Sequence, residues 1–382
     1  MKKTLTARTL FTDIGTIEWP VIEIDEDGLI ADISSDPIAL SAETTTLTSA
    51  FLDVHTHGAV GVDVMSATSQ DLSKLARFYA TRGVGYYLPT TATASRETTL
   101  RALSTLADTI ERGAQPEEAQ PLGVHLEGPF LSHLRRGVHP TDLLEAPSVE
   151  LFDAFWNAAR GHIALMTVAP ELTGAPELIE AATKRGVRIT MGHSNATAAE
   201  TQAGINAGAL SVTHTFNAMR PLDHREPGIL GTTLDSESLY AELICDGIHV
   251  SPPMVRLWYR MKSPAQRAIL VTDSMAATGM PDGAYELAGL AVSVSHGRAS
   301  LANAPETLAG SVLTLDEAVS NLQHFTGCAL PDAAFCASHA PAAMLGRPQL
   351  TRAIKGAEAS FNRFDEQRRL VATYLRGSEL RR

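Results

Sequence analysis

The chain has 382 residues, of which 44% are hydrophobic and 19% charged, and its formal net charge is -12 at pH 7. That length suits one large domain with a smaller appendage, and the composition can bury a sizeable core. The acidic balance argues against a nucleic-acid surface, which needs a basic stripe, although a few local Arg and His side chains can still bind an anionic substrate. Three cysteines, Cys245, Cys328 and Cys336, are too few and too odd in number for a disulfide framework. The start, MKKTLTARTLFTDIG, has two lysines but no apolar stretch behind them. No run of about 18 apolar residues offers a membrane span. A soluble, cytoplasmic protein is the expectation.

In chain order, residues 1–50 read as short β pieces: TIEWPVIEID and then GLIADIS, broken by Asp27-Gly28, which is hairpin chemistry. Similar short pieces, ASFNRFD and RLVATYL, fill the tail after residue 345. Neither end can form a core alone. The prediction is that 1–50 and 345–382 pair into one small β domain around a larger domain at 51–344.

The middle holds eight apolar runs, each ending in small or polar residues. They are SAFLDV (49–54), VGYYLPT (84–90), LGVHLEG (122–128), IALMTVAP (163–170), VRITMGH (187–193), LSVTH (210–214), YAELICDG (240–247) and AILVTD (268–273). Segments such as SQDLSKLARFYATRG and APELIEAATKRG lie between them, with helical periodicity and a Gly stop. Successive runs start 23–41 residues apart, the length of a βα unit. Eight such units predict an α/β fold, a (β/α)8 TIM-like barrel. An open doubly wound sheet is the alternative, weakened because no Gly-rich nucleotide loop follows the first run.

Barrel chemistry sits at the C-terminal ends of the strands. Here those ends carry Asp53-Val54-His55-Thr56-His57, His125-Leu126-Glu127, Gly192-His193, Thr213-His214, Asp246-Gly247-Ile248-His249 and Thr272-Asp273. His55 and His57 are two apart, so on a strand they share a face. Imidazoles and a carboxylate suit Zn²⁺ and similar ions, and three protein ligands leave a position open, the catalytic arrangement. Glu127, His193 and His214 supply such a set from three strands. Asp273, at the last strand end, is placed to shuttle a proton. Taken singly, each residue has a plainer reading. His-x-His on a strand is commonly incidental, Glu127 suits a buried ion pair, His193 and His214 suit a polar core, and Asp273 suits a helix cap. Their joint position at the strand ends of one barrel is what favours a metal site. His162, His296, His324 and His339 fall outside the pattern and read as structural or surface residues. Cys245, inside the seventh run, reads as a small core residue.

The stretches FLDVHTHG, HLEGPFLS, GHSNAT, VTHTFNAMRPL, CDGIHVSP, VTDSMAATG and TLAGS, in this order between residues 51 and 311, resemble the N-acetylglucosamine-6-phosphate deacetylase family of the amidohydrolase superfamily. The resemblance implies a hydrolase that removes the N-acetyl group of N-acetylglucosamine-6-phosphate to give glucosamine-6-phosphate and acetate; the alternatives are the galactosamine epimer, which the motifs do not distinguish, and a sister amidohydrolase acting on a different amide. It implies that Glu127, His193 and His214 bind the main metal, with zinc first and iron, manganese or cobalt as alternatives. Asp273 matches the acid/base, and His249 a residue that contacts the sugar and polarises the carbonyl. Val138, His139, Asn217, Ala218, Leu308, Ala309 and Gly310 resemble substrate contacts. Arg225 resembles an arginine that reaches the 6-phosphate across a homodimer interface, and a guanidinium suits a dianionic phosphate; the expectation is that the phosphate docks on Arg225 and His139. Without that likeness, Arg225 reads as a solvated loop residue and Asn217 as a helix cap. Family members differ at the first motif. This chain keeps both His55 and His57, which implies one tight metal and a second, weaker one. The tail, Gly356-Ala357-Glu358-Ala359-Ser360-Phe361, departs from the family's Gly-x-x-Ala-Asp-hydrophobic strand and leaves its pairing open.

Overall fold

A computed structural model describes residues 3–264 and 266–381. Eight parallel strands form its centre: β1 (Phe51–Thr56), β2 (Val84–Thr91), β3 (Val124–Glu127), β4 (Ile163–Val168), β5 (Arg188–Met191), β6 (Ser211–Val212), β7 (Tyr240–Ile244) and β8 (Ala268–Val271). Each pairs with the next in sequence from β1 to β8. The seam between β8 and β1 is closed just beyond the strand ends. There the Asp273 amide donates to the His55 carbonyl at 2.9 Å, and Thr56 bridges to Ser274. All eight strands coincide with the eight predicted runs. They were readable because a parallel strand is covered on both faces and stays apolar along its length; every residue of β2, for example, is buried.

Helices α1 (Ser69–Thr81), α2 (Arg96–Arg112), α3 (Val149–Ala158), α4 (Ala175–Lys184), α5 (Ala198–Ala207), α6 (Gly228–Asp235), α7 (Pro252–Lys262) and α8 (Leu315–Thr326) surround the strands. Their ends follow local chemistry. Thr68 with Asp71 and Thr197 with Glu200 form capping boxes at the starts of α1 and α5. Gly83 and Gly186, the predicted stops after α1 and α4, have φ of +83° and +85°, a conformation that favours glycine. The apolar faces of strands and helices merge into one core that includes Leu52, Leu126, Met166, Ile189, Leu243 and Trp258.

The two chain ends share a six-stranded sheet. Its order is Ser378–Arg381, Leu370–Leu375, Phe361–Phe364, Thr46–Ser49, Thr9–Thr12 and Gly15–Glu18. A hairpin of Pro20–Ile24 and Ile30–Ser35 turns around Asp27-Gly28 and stacks beside it. Leu5, Leu10, Ile22, Leu47, Phe361 and Tyr374 fill the core between these layers. The divergent tail is tied down as well. Ile30 N–H donates to Ala357 O at 2.8 Å, Ala359 N–H to Gly28 O at 2.9 Å, and Tyr86 OH to Glu358 Oε2 at 2.8 Å.

One element was not predicted. Between β8 and α8 the chain makes a four-stranded antiparallel sheet, Gly283–Leu287, Leu290–Ser295, Arg298–Leu301 and Ala304–Leu308. Two of its turns place Ala288-Gly289 and His296-Gly297 all at positive φ, the geometry of two-residue type I′ hairpins. This X-Gly signal, between runs of alternating burial, was present in the sequence. Among the described residues no helix is long and apolar enough to cross a membrane.

Candidate metal centre and active site

At the C-terminal mouth of the barrel the strand ends converge on one buried carboxylate. Glu127 Oε1 stands 3.3 Å from His193 Nε2, 3.3 Å from His214 Nε2 and 3.5 Å from His55 Nε2. The Nε2 atoms of His193 and His214 are 3.0 Å apart. Four-coordinate zinc with ligand bonds of about 2.0–2.1 Å separates its ligands by roughly 3.4 Å, so these three atoms are spaced as ligands of one ion. The second Glu127 oxygen, Oε2, lies 3.2 Å from His57 Nε2. His57 Nε2 is also 3.2 Å from Asp273 Oδ1 and 3.3 Å from His55 Nε2. His55, His57, Asp273 and the other face of Glu127 thus form an adjoining cluster.

Orientation of the rings favours a cation over an internal hydrogen-bond network. The Nδ1 atoms of His57 and His193 donate to the carbonyls of Thr90 and Arg135, at 3.2 and 3.1 Å, which turns both Nε2 atoms toward the carboxylate. Glu127 Oε1 is buried and has no hydrogen-bond partner among the described residues, an expensive condition unless an ion occupies the space. Four buried carboxylates, Asp53, Glu127, Glu242 and Asp273, cluster here with no lysine or arginine paired to any of them among the described residues. This charge draws protons onto His55 and His57. Burial works against a charged His57, yet Asp273 and Glu127 push its imidazole up to about 9. His55 moves the same way: burial opposes, while Glu127 and Asp273 dominate. Burial would raise the Asp273 carboxyl, but His55 and His57 hold it well below the usual carboxylate range. The residues present therefore fit a divalent ion in donor type, spacing and charge.

Several site residues have left-handed backbones: His193 (φ +46°), His214 (φ +22°), Ala218 (φ +50°) and Asp273 (φ +49°). Such conformations are costly for non-glycine residues, and folds keep them where a side chain must be aimed.

The cluster forms the floor of a cavity of about 280 Å³, walled by Val138, His139, Asn217, Ala218, His249, Leu308 and Gly310, with Leu287, Glu306 and Thr307 from the unpredicted sheet. His139 is buried beside the cluster, its Nε2 3.7 Å from Glu127 Oε2; Glu127, His139 and His193 also meet the spacing for a metal. Burial and the neighbouring His193 pull its imidazole down to about 3, so it is neutral at physiological pH. Two residues that the sequence reading gave no role fix the wall histidines. Asp246 Oδ2 accepts from His249 Nδ1 at 2.6 Å, and Thr93 bonds His139 Nδ1 through its hydroxyl at 2.8 Å and its amide at 3.3 Å. Three predicted residues do not line the cavity. His55 is fully buried behind His57. The Ala309 side chain is buried in the core of the inserted sheet with Met275 and Val292. Arg225 sits on an exposed loop, where its amide bonds Asp223 Oδ1 at 2.8 Å.

A (β/α)8 barrel with His, Glu and Asp gathered at metal-ligand spacing at its C-terminal mouth defines a metal-dependent hydrolase of the amidohydrolase type. No family model matches the chain, but whole-chain relatives do. It is 36% identical to N-acetylgalactosamine-6-phosphate deacetylase of Escherichia coli O157:H7, with 99% of each chain covered. It is 35% identical to N-acetylglucosamine-6-phosphate deacetylase of Lysinibacillus sphaericus, over 92% of this chain and 91% of the relative. Among solved structures, an Asp-to-Ala variant of the Mycobacterium smegmatis N-acetyl-D-glucosamine-6-phosphate deacetylase, in complex with N-acetyl-D-glucosamine-6-phosphate, superposes with a TM-score of 0.92 at 32% identity and 99% coverage of both chains. The chain belongs to the N-acetylglucosamine-6-phosphate deacetylase family.

Proposed function

We propose that this enzyme hydrolyses the N-acetyl amide of N-acetylglucosamine-6-phosphate to glucosamine-6-phosphate and acetate, in the cytoplasm. The observation that carries the reading is the buried Glu127 carboxylate, ringed by imidazole nitrogens at the floor of a sugar-sized cavity. Glu127, His193 and His214 would hold the principal divalent ion, zinc first among the candidates, and His55 and His57 a second. When bound, such an ion acidifies water and polarises the amide carbonyl.

The chain's own groups supply the rest. Asp273 takes the proton of the attacking water as the new C–O bond forms. It returns that proton to the nitrogen as the C–N bond breaks. The carboxylate of Asp246 accepts from His249 Nδ1 and so orients the ring toward the place where the carbonyl oxygen becomes an oxyanion. His139, neutral and close to Glu127, serves the acetamide end of the cavity rather than the phosphate end. Val138, Asn217, Ala218, Leu308 and Gly310 hold the sugar, with Ala309 contributing only through its backbone. The phosphate calls for a lysine or arginine, and among the described residues none lines the cavity of one chain. Arg225, free on its exposed loop, would supply it to the site of a second copy in a homodimer.

The galactosamine epimer is the second reading, favoured by the 36% identity to the Escherichia coli O157:H7 relative. The deciding experiment follows amine release from N-acetylglucosamine-6-phosphate, N-acetylgalactosamine-6-phosphate and unphosphorylated N-acetylglucosamine, with and without a chelator. Chelator-sensitive turnover, fastest on the first, is expected. Faster turnover of the second would reassign the substrate, and none from metal-replete protein would discard both.

A further inference from the structure

Glu242 lies on β7 and points into the barrel, where its side chain is wholly inaccessible to solvent. A lone carboxylate in such a place is costly unless paired, yet among the described residues no lysine or arginine pairs with it, and its Oε1 has no hydrogen-bond partner. Its other oxygen faces two groups. Oε2 accepts the Thr213 hydroxyl proton at 2.9 Å and stands 3.5 Å from His55 Nδ1. Because that hydroxyl spends its proton on Glu242, its oxygen is left as an acceptor, and His55 Nδ1 lies 3.0 Å from it. The proton order is thereby set along the row: His55 Nδ1–H to Thr213 Oγ1, and Thr213 Oγ1–H to Glu242 Oε2. The row fixes the His55 tautomer with Nε2 free, and Nε2 faces Glu127 Oε1 at 3.5 Å and Asp273 Oδ1 at 3.6 Å. Space for Thr213 is made by Gly192, where a Cβ would fall 2.1 Å from Thr213 Cγ2.

We propose that Glu242, acting through Thr213, is a positioning residue that holds His55 as an Nε2 ligand and makes the second cation position, at His55 and His57, bindable. Carboxylates behind ligating imidazoles raise ligand basicity and fix ring orientation, and their loss typically costs about 10–100-fold in metal affinity. The charge fits as well: a second cation beside His55 gives the otherwise unpaired Glu242 a partner within the barrel. This inference rests on the reading that His55 and His57 take an ion in addition to the one at Glu127, His193 and His214.

The test titrates Zn²⁺ into chelator-stripped protein, follows both equivalents by competition with a chromophoric chelator, and counts bound metal by elemental analysis. Wild type takes two equivalents. Glu242→Gln keeps the volume and an acceptor oxygen but not the charge, and should weaken only the second equivalent, about tenfold. Thr213→Val, nearly isosteric, should weaken the second equivalent about 10–100-fold, and Thr213→Ser should restore it. Variants that bind both equivalents like wild type would overturn the role of Glu242 while leaving two ions in place. Equal weakening of both equivalents in Glu242→Gln and Thr213→Val would show a general role in barrel integrity and overturn it too. A single equivalent in wild type would overturn the two-ion reading and this inference together.

Discussion

Asp273 is the proposed acid/base, and its geometry makes a sharp expectation. It contacts His57 at 3.2 Å but is not one of the three mutually close atoms of Glu127, His193 and His214. Asp273→Asn should therefore lower kcat by about 10²–10⁴-fold while metal at the Glu127 position stays near stoichiometric by elemental analysis. Near-normal turnover in that variant would remove Asp273 from the acid/base role. Away from the site, His339 reports on folding. It is nearly buried, 2.8 Å from Thr351 Oγ1, and burial pulls its imidazole down to about 4. Its unfolded value is near 6.5, so between about 6.5 and 4 the unfolded chain binds the extra proton. The contribution to stability is whole above about 6.5, shrinks as pH falls, and is gone below about 4. A shift of this size corresponds to at most about 3 kcal/mol. Urea midpoints measured from pH 7 to pH 4 should fall more steeply for wild type than for His339→Gln. Parallel curves would show that His339 is not a source of acid lability.

At the level of elements, Lys262 at the end of α7 caps a neighbour. It is fully buried, and its Nζ donates to Thr233 O at 2.9 Å and to Ser236 O, two of the carbonyls left open at the C-terminus of α6. Burial, with Arg267 nearby, pulls the ammonium down to about 8, so the cap is charged at neutral pH. Lys262→Met should strand these carbonyls and cost about 1–3 kcal/mol, read as a lower melting temperature with unchanged activity per folded molecule. An unchanged melting temperature would mean that water or a backbone shift replaces the cap. What could be read from sequence divides along the same physical line. Strands buried on both faces announce themselves as apolar runs, and His55, Glu127, His193 and Asp273 stand out because they end such runs. Glu242 interrupts YAELICDG in the middle, and its partners Thr213 and His55 come from other strands, the first from the neighbouring one, so no local pattern marks it. Thr93 and Asp246 are ordinary polar residues until the folded chain sets them against His139 and His249. For the inserted sheet the local signal is the pairs Ala288-Gly289 and His296-Gly297, where no turn is predicted from sequence.

For the whole molecule, the question is whether one chain makes one complete site. The cavity wall of a single copy offers imidazoles and amides but no arginine, while Arg225 and the half-exposed Leu222 stand on an outward-facing loop. If Arg225 serves a neighbour, Arg225→Ala should raise KM for the phosphorylated sugar far more than it lowers kcat. Mixing should be more telling. A hybrid of Asp273→Asn and Arg225→Ala chains rebuilds one intact site per dimer, so coexpression should return about a quarter of wild-type activity at random pairing. Recovery no greater than the sum of the two parents would confine Arg225 to its own chain.

The seam of the barrel carries a last consequence. Bonds that close β8 onto β1 run through His55, Thr56, Asp273 and Ser274, the same short stretches that hold the adjoining cluster and the proposed proton shuttle. The proposed catalytic stretch is thus also the clasp. A ring that springs open under heat would lose its chemistry at that moment, with no range of temperature in which a gaping barrel still works. Any ion that bridges the two stretches would in turn rivet the ring shut, so loading the metal and securing the fold would be one event.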